Sequence, residues 1–273
     1  MKSSSLNINV SGNLVYITFP RLENIGVVRH VFSTRKGGVS SGQYTSMNLG
    51  FLNGDERENV QKNYERLCGE VGIDVSHLVL SRQTHTNNVK IVDKTHCGTG
   101  YNKPSFCDVD GLITAHSGVA LVTQYADCTP LLFCDPVKRV CATSHAGWRG
   151  TASKIGQVTV EKMVSEFGCK REDIVAAIGP CIAECCYEVD GPVYDAFVQN
   201  GINPDSVFFK TEKEGHYMLD LRTANKKILT ESGVREDNID VSDICTCCNC
   251  DELHSHRATG GKRGNLAAII ELI

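Results

Sequence analysis

Short apolar runs, spread over the whole chain and never spaced as a regular strand–helix alternation, constrain this sequence more than any other feature. They cover residues 14–19, 28–33, 78–81, 89–92, 119–125, 131–134, 140–143, 174–178, 218–221 and 266–273. Each is too short for a buried helix and rich enough in branched residues for a strand. Helical periodicity is confined to four places. Val60, Tyr64, Leu67, Cys68 and Val71 share one face; Ile155, Val158 and Met163 share another; two further segments run from Val193 to Phe197 and from Ala224 to Leu229. Gly168 and Gly233 stand where two of these helices should stop. Strands and helices mixed in this order predict an α+β fold with mixed β-sheets flanked by helices, not a doubly wound parallel sheet. No repeat, low-complexity stretch or Pro/Ser-rich linker interrupts the chain, so the expectation is one domain over residues 1–273.

Charge narrows the class. The 273 residues carry a formal net charge of −4, without the basic excess of a general nucleic-acid or anionic-membrane binder. No apolar run is long enough to span a bilayer. The fourteen cysteines would suggest a disulfide framework in a small secreted chain. Here the first ten residues are polar, without the apolar core of a secretory signal. The expectation is therefore a cytoplasmic protein with reduced thiols, most of them small buried residues and a few of them ligands.

Three segments put metal-competent side chains at strand ends: Ser81-Arg82-Gln83-Thr84-His85, Ala126-Asp127-Cys128-Thr129-Pro130, and Thr143-Ser144-His145-Ala146-Gly147-Trp148-Arg149-Gly150. Two imidazoles and one thiolate suit zinc, and three protein ligands leave one position for water or substrate. Spacing alone leaves the alternative open that each histidine is a satisfied polar residue and Cys128 a core thiol.

The same segments belong to a longer series. Phe32-Ser33-Thr34-Arg35 precedes Gly37-Gly38-Val39-Ser40, then Ser46-Met47-Asn48-Leu49-Gly50. Further on come Gln83-Thr84-His85, Asp108-Val109-Asp110-Gly111, Ala126-Asp127-Cys128, and His145-Ala146-Gly147-Trp148-Arg149-Gly150. The last are Ile178-Gly179-Pro180, Cys186-Tyr187-Glu188-Val189, Cys245-Thr246 with Asn249, and Ser255-His256-Arg257. Over nearly its whole length the chain resembles the YfiH family, also described as laccase-domain or polyphenol-oxidase proteins. The resemblance implies a YfiH-like fold and a Zn2+ site made of His85, Cys128 and His145. It also implies a purine nucleoside enzyme that phosphorolyses adenosine, inosine, guanosine and methylthioadenosine and deaminates adenosine. Purine nucleoside and phosphate are then the expected partners, with no nucleic acid and no membrane.

Zinc chemistry is compatible with deamination, since the metal acidifies bound water. Alongside Cys128 and His145, Asp127 is the candidate catalytic proton carrier; a turn residue that caps backbone amides is the competing reading. Phosphorolysis needs phosphate held and aimed at the ribose. Arg35, Arg149 and Arg257 suit this by their bidentate fork, and each suits a structural ion pair equally well. Asn48 is placed as a hydroxyl or base contact, or as a cap. Trp148 is placed as a stacking platform or as core. Near the C-terminus the family pattern leads one to expect another Arg soon after Arg257 and a Thr-Gly-Arg motif. The chain instead reads Arg257-Ala258-Thr259-Gly260-Gly261-Lys262-Arg263, so Arg263 is the candidate for the displaced role.

Cys245, Cys247, Cys248 and Cys250, with His254 and His256 nearby, suggest a second metal site, but a structural site usually needs a second well-spaced pair. Cys181, Cys185 and Cys186 are expected to be thiols first and ligands second. Two other functions compete. One is a Cys–His amidase or hydrolase with Cys128 as nucleophile, including editing of a cell-wall precursor. The other is a copper-dependent polyphenol oxidase, disfavoured because only His254-Ser255-His256 forms a His-x-His pair, although Cu2+ is a possible substitute for zinc by its intrinsic affinity.

Overall fold

In the computed structural model, which describes residues 1–273, the alternation within the apolar runs becomes two faces of two packed sheets. One sheet has seven strands in the order Asn7–Ser11, Leu14–Thr18, Val28–Ser33, Leu266–Leu272, Ala120–Tyr125, Leu78–Arg82 and Phe106–Cys107. The other has six: Ile239–Val241, Val175–Ile178, Thr129–Asp135, Val140–Ala146, Gly111–Thr114 and Val89–Ile91. A three-stranded sheet of Glu188–Asp190, His216–Leu219 and Phe208–Lys210 stands apart. Parallel and antiparallel pairs occur in both large sheets. The fold is α+β with mixed sheets flanked by helices, as the order of elements predicts.

Period two decides what each face meets. On Leu266–Leu272, the residues Leu266, Ala268, Ile270 and Leu272 enter the core between the sheets, while Ala267 and Ile269 face the helix Arg57–Val71. On Thr129–Asp135, Leu132 and Cys134 face the inter-sheet core, and Leu131 and Phe133 face the helices Ile155–Phe167 and Leu221–Glu231. Strands buried on both faces read as continuous apolar runs, which is why they stand out in the sequence. The helix Ile155–Phe167 ends on Gly168 at φ 67°, a left-handed cap. Gly233, at φ 91°, follows the end of the helix Leu221–Glu231.

The strand boundaries matter for the site. Ala120–Tyr125 lies in the first sheet and Thr129–Asp135 in the second, so residues 126–128 carry the chain from one sheet to the other. Residues 83–88 make a similar crossing from Leu78–Arg82 to Val89–Ile91. The strand expected to end at residue 143 continues to Ala146, and His145 lies in it opposite Pro130. No helix is long and apolar enough to cross a membrane.

Candidate metal centre

The two inter-sheet crossings and the end of the Val140–Ala146 strand meet at one place. There the ligand atoms of His85, Cys128 and His145 all lie within 4.8 Å of one another. Cys128 Sγ is 3.9 Å from Nε2 of His85. His145 is buried, Cys128 is half-buried and His85 is exposed, so the cluster is closed on the protein side and open on the other. Both crossings place a non-glycine residue at positive φ, His85 at 66° and Asp127 at 85°. Such conformations cost free energy and persist where surrounding structure holds them.

What holds the His85 crossing is Asp110, a residue that the sequence pattern marked only as part of a motif. It is fully buried. Its carboxylate accepts from the backbone N–H of Thr84 at 3.1 Å, His85 at 3.0 Å and Thr86 at 2.9 Å, and from the Thr86 hydroxyl at 2.9 Å. It also bonds Nδ1 of His145 at 2.9 Å. That contact commits Nδ1 and leaves Nε2 for the cluster, the usual way a carboxylate orients a ligating imidazole. Burial opposes the charge on Asp110, yet the bonds from His145 and the Thr86 and Thr84 amides outweigh it and hold the carboxyl at about 2. Burial likewise opposes ionisation of Cys128, but His145 beside it drives the thiol well below its ordinary range; the thiolate and Asp110 in turn raise His145. The two shifts favour a thiolate–imidazolium pair, whose protons a bound ion would replace.

Gly147 completes the cradle. A Cβ there would stand 2.9 Å from Cys128 Sγ and 3.0 Å from Cδ2 of His85. The donor set, the oriented imidazole and the missing Cβ all fit a single ion of zinc type with an open position. Among the nine histidines, only His85 and His145 join a group of three or more ligand side chains.

The cluster opens into a cavity of about 510 Å³. Arg82, Arg149, Arg257 and Arg263 line it, with Trp148, Tyr187 and a single carboxylate, Asp127. Arg149 is exposed and stacks on Trp148 with its guanidinium 4.1 Å from the ring centre. Arg257 lies over Tyr187 at 5.3 Å and donates to the carbonyls of Cys186 at 3.1 Å and Glu188 at 3.0 Å. Arg263 reaches the same wall, with a buried Nε that has no partner. Arg82, at the end of its strand, was not singled out in the sequence.

Asp127 accepts from the Thr246 hydroxyl at 2.6 Å and from the Arg257 N–H at 2.7 Å, so it ties the loops after the cysteine cluster to the ligand loop. Arg35 and Asn48 are placed outside the cavity. Arg35 donates to the carbonyls of Thr45 at 2.8 Å and Cys250 at 2.7 Å, holding two loops together. Asn48 is fully buried; its Oδ1 accepts from Gly50 and Asn265 and its Nδ2 donates to Asp55. Both side chains are engaged with the protein, and neither lines the cavity.

Residues 29–273 match the family described as multi-copper polyphenol oxidoreductase laccase. A Bacillus subtilis protein named purine nucleoside phosphorylase YlmD is 36% identical over 88% of this chain and 86% of its own. A protein from an unknown prokaryotic organism, named adenosine deaminase RL5, is 33% identical over 85% of this chain and 90% of its own. The crystal structure of the Bacillus licheniformis hypothetical protein YfiH superposes with a TM-score of 0.92 at 30% identity, covering 97% of this chain and 99% of that one.

Proposed function

We infer, from the premise that this chain belongs to the YfiH or laccase-domain family, that it is a zinc-dependent purine nucleoside enzyme. Its reactions are phosphorolysis of adenosine, inosine, guanosine and methylthioadenosine to free base and sugar 1-phosphate, and deamination of adenosine. The observation that carries this reading is a three-ligand centre, open on one side, that faces a cavity of about 510 Å³ lined by four arginines and one carboxylate. Relatives named for phosphorolysis and for deamination support both halves.

A zinc ion held by His85, Cys128 and His145 supplies Lewis-acid polarisation of a substrate or water oxygen. The remaining roles fall to the chain. The cavity volume lies within the range of small-molecule sites. Trp148 and Tyr187 offer aromatic faces to a purine, and the arginines paired with them place cations beside those faces. Four guanidiniums against one carboxylate favour an anion in the cavity, and Arg149, with no carbonyl or carboxylate partner, is the most available to phosphate. Asp127 is the one acid on the wall that can hold a proton for the leaving base or amine. Copper(II) competes for such ligands by intrinsic affinity, but the multi-copper chemistry in the family description calls for more clustered histidines than this chain brings together.

The test is a product assay with adenosine, with and without phosphate, beside metal analysis. Adenine and ribose 1-phosphate should form only with phosphate, and inosine without it, with about one zinc at this centre. Equal behaviour of the wild type and His85→Ala in product and metal would overturn the reading. A second reading rests on the Cys128–His145 pair, whose thiol is driven toward the thiolate. That is the chemistry of a Cys–His hydrolase acting on an amide, such as a cell-wall precursor. Amide cleavage that survives chelation and is lost on alkylation would select it.

A further inference from the structure

We propose that Cys185, Cys186, Cys245 and Cys248 form a second metal site, a tetrathiolate that binds one zinc(II) ion. The proposal does not depend on the nucleoside reading. In sequence the Cys245–Cys250 stretch lacks a second ligand pair. The fold supplies it from the loop that precedes the strand Glu188–Asp190. All four sulfurs lie within 4.8 Å of one another. Cys248 Sγ is 3.4 Å from both Cys185 Sγ and Cys186 Sγ, and those two are 3.8 Å apart. A tetrahedron with Zn–S bonds of about 2.3 Å has edges of about 3.8 Å. The three separations among Cys185, Cys186 and Cys248 thus lie within about 0.4 Å of that edge. They also stand well beyond the S–S bond length of about 2 Å.

The surroundings fit a thiolate site. The Ala183 N–H donates to Cys245 Sγ at 3.4 Å, the kind of backbone contact that stabilises a ligating sulfur. Cys181 and Cys245 form a parallel backbone bridge, and Thr246 N–H bonds the Cys181 carbonyl at 3.0 Å, so the two loops are already registered. Cys245 is buried, while Cys185 and Cys248 are exposed, which gives an ion a path from solvent. On binding, each thiol releases its proton to solvent and the ion takes four sulfur lone pairs. No electron is transferred and no oxidant is needed.

Such a staple joins two loops that build the cavity wall. Thr246, next to Cys245, holds Asp127, and the Cys186 carbonyl receives Arg257. The proposed ion would thus be structural, bracing the wall that carries Asp127 and Arg257.

The experiment uses the full chain purified under reducing conditions and measures zinc per chain. The wild type should hold two ions. His85→Ala and Cys248→Ser should each lose one, and Cys250→Ser, whose sulfur is outside the group, should keep both. Cobalt(II) titration of the wild-type apoprotein provides a readout that needs no variant. Sulfur-to-cobalt charge transfer grows with the number of thiolates, so the four-sulfur site should add roughly four times the intensity of the one-sulfur centre. A His85→Ala/Cys128→Ser protein should retain that intense signal. One zinc in the wild type with only a one-thiolate cobalt spectrum would overturn the proposal. So would a loss of two free thiols to a Cys185–Cys248 disulfide in protein purified without metal depletion. Failure here leaves the nucleoside assay untouched, and failure of the first centre to bind would leave the four-thiolate cobalt signal and the one ion that Cys248→Ser removes.

Discussion

Asp110 Oδ1 sits 2.9 Å from Nδ1 of His145 and 3.0 Å from the backbone N–H of His85, so one buried carboxylate positions two of the three candidate ligands at once. Asp110→Asn keeps the shape and removes the charge. Its amide NH2 would also confront donors where the carboxylate offered acceptors. Metal affinity should fall by about 10- to 100-fold, the usual effect of losing a carboxylate behind a ligating histidine. Competition with a chromogenic chelator measures it, and unchanged affinity would show that Asp110 only shapes the loop.

Gly147 is needed for space rather than for backbone freedom. Its φ of −66° suits any residue. Alanine would place a methyl group 2.9 Å from Cys128 Sγ and 3.0 Å from His85 Cδ2. Gly147→Ala should therefore fold with a near-native circular dichroism spectrum and bind metal at least about tenfold more weakly. A variant that binds as the wild type does would mean the crossing loops yield to the methyl.

These two residues show where sequence reading stops. The long strands were legible because both their faces are buried: residues 266–273 were expected and Leu266–Leu272 is observed. Asn7–Ser11, largely exposed at the sheet edge, and the two-residue Phe106–Cys107 have no apolar signature to read. Gly111–Thr114 opens on a glycine and is only four residues long, which leaves little strand signature to read. The candidate triad was legible through its motifs, and the fold brings its three side chains together. Asp110 was not, since an aspartate before a glycine reads as a turn; only the fold reveals that it gathers Thr84, His85, Thr86 and His145. Cys185 and Cys186 were read as thiols because nothing local indicates that Cys245 and Cys248 lie beside them.

A pH dependence follows from His30. It is buried, and its Nε2 accepts the Phe19 N–H at 2.9 Å. Burial lowers it to about 4. Between about pH 6.5 and 4 the unfolded chain binds a proton that the folded chain refuses, so stability present above that window is lost through it as pH falls. The full loss is about 3 kcal/mol, of which about 2 kcal/mol is spent by pH 5. His30→Gln retains an acceptor and cannot titrate. Its urea-unfolding free energy should drop less between pH 7 and 5 than that of the wild type, by about 2 kcal/mol. Parallel curves would show that His30 titrates normally in the folded protein.

The arginines separate the two proposed reactions. Arg149 is exposed, stacks on Trp148 and has no carbonyl or carboxylate partner, whereas Arg257 holds the Cys186 and Glu188 carbonyls. Removing Arg149 should therefore affect substrate and little else. A charge-assisted hydrogen bond is worth about 1.5–3 kcal/mol, or about 10- to 100-fold in kcat/KM. Arg149→Met should lose that factor for phosphate in adenosine phosphorolysis while phosphate-independent deamination changes by less than about threefold. Arg257→Met should weaken both reactions and lower the thermal midpoint, because it releases the loop that carries Tyr187 and Cys186 as well as any phosphate contact. Steady-state kinetics of both reactions on both variants is the measurement. Equal losses in phosphorolysis and deamination for Arg149→Met would remove it as the phosphate ligand and move that role to Arg82 or Arg263 on the same wall.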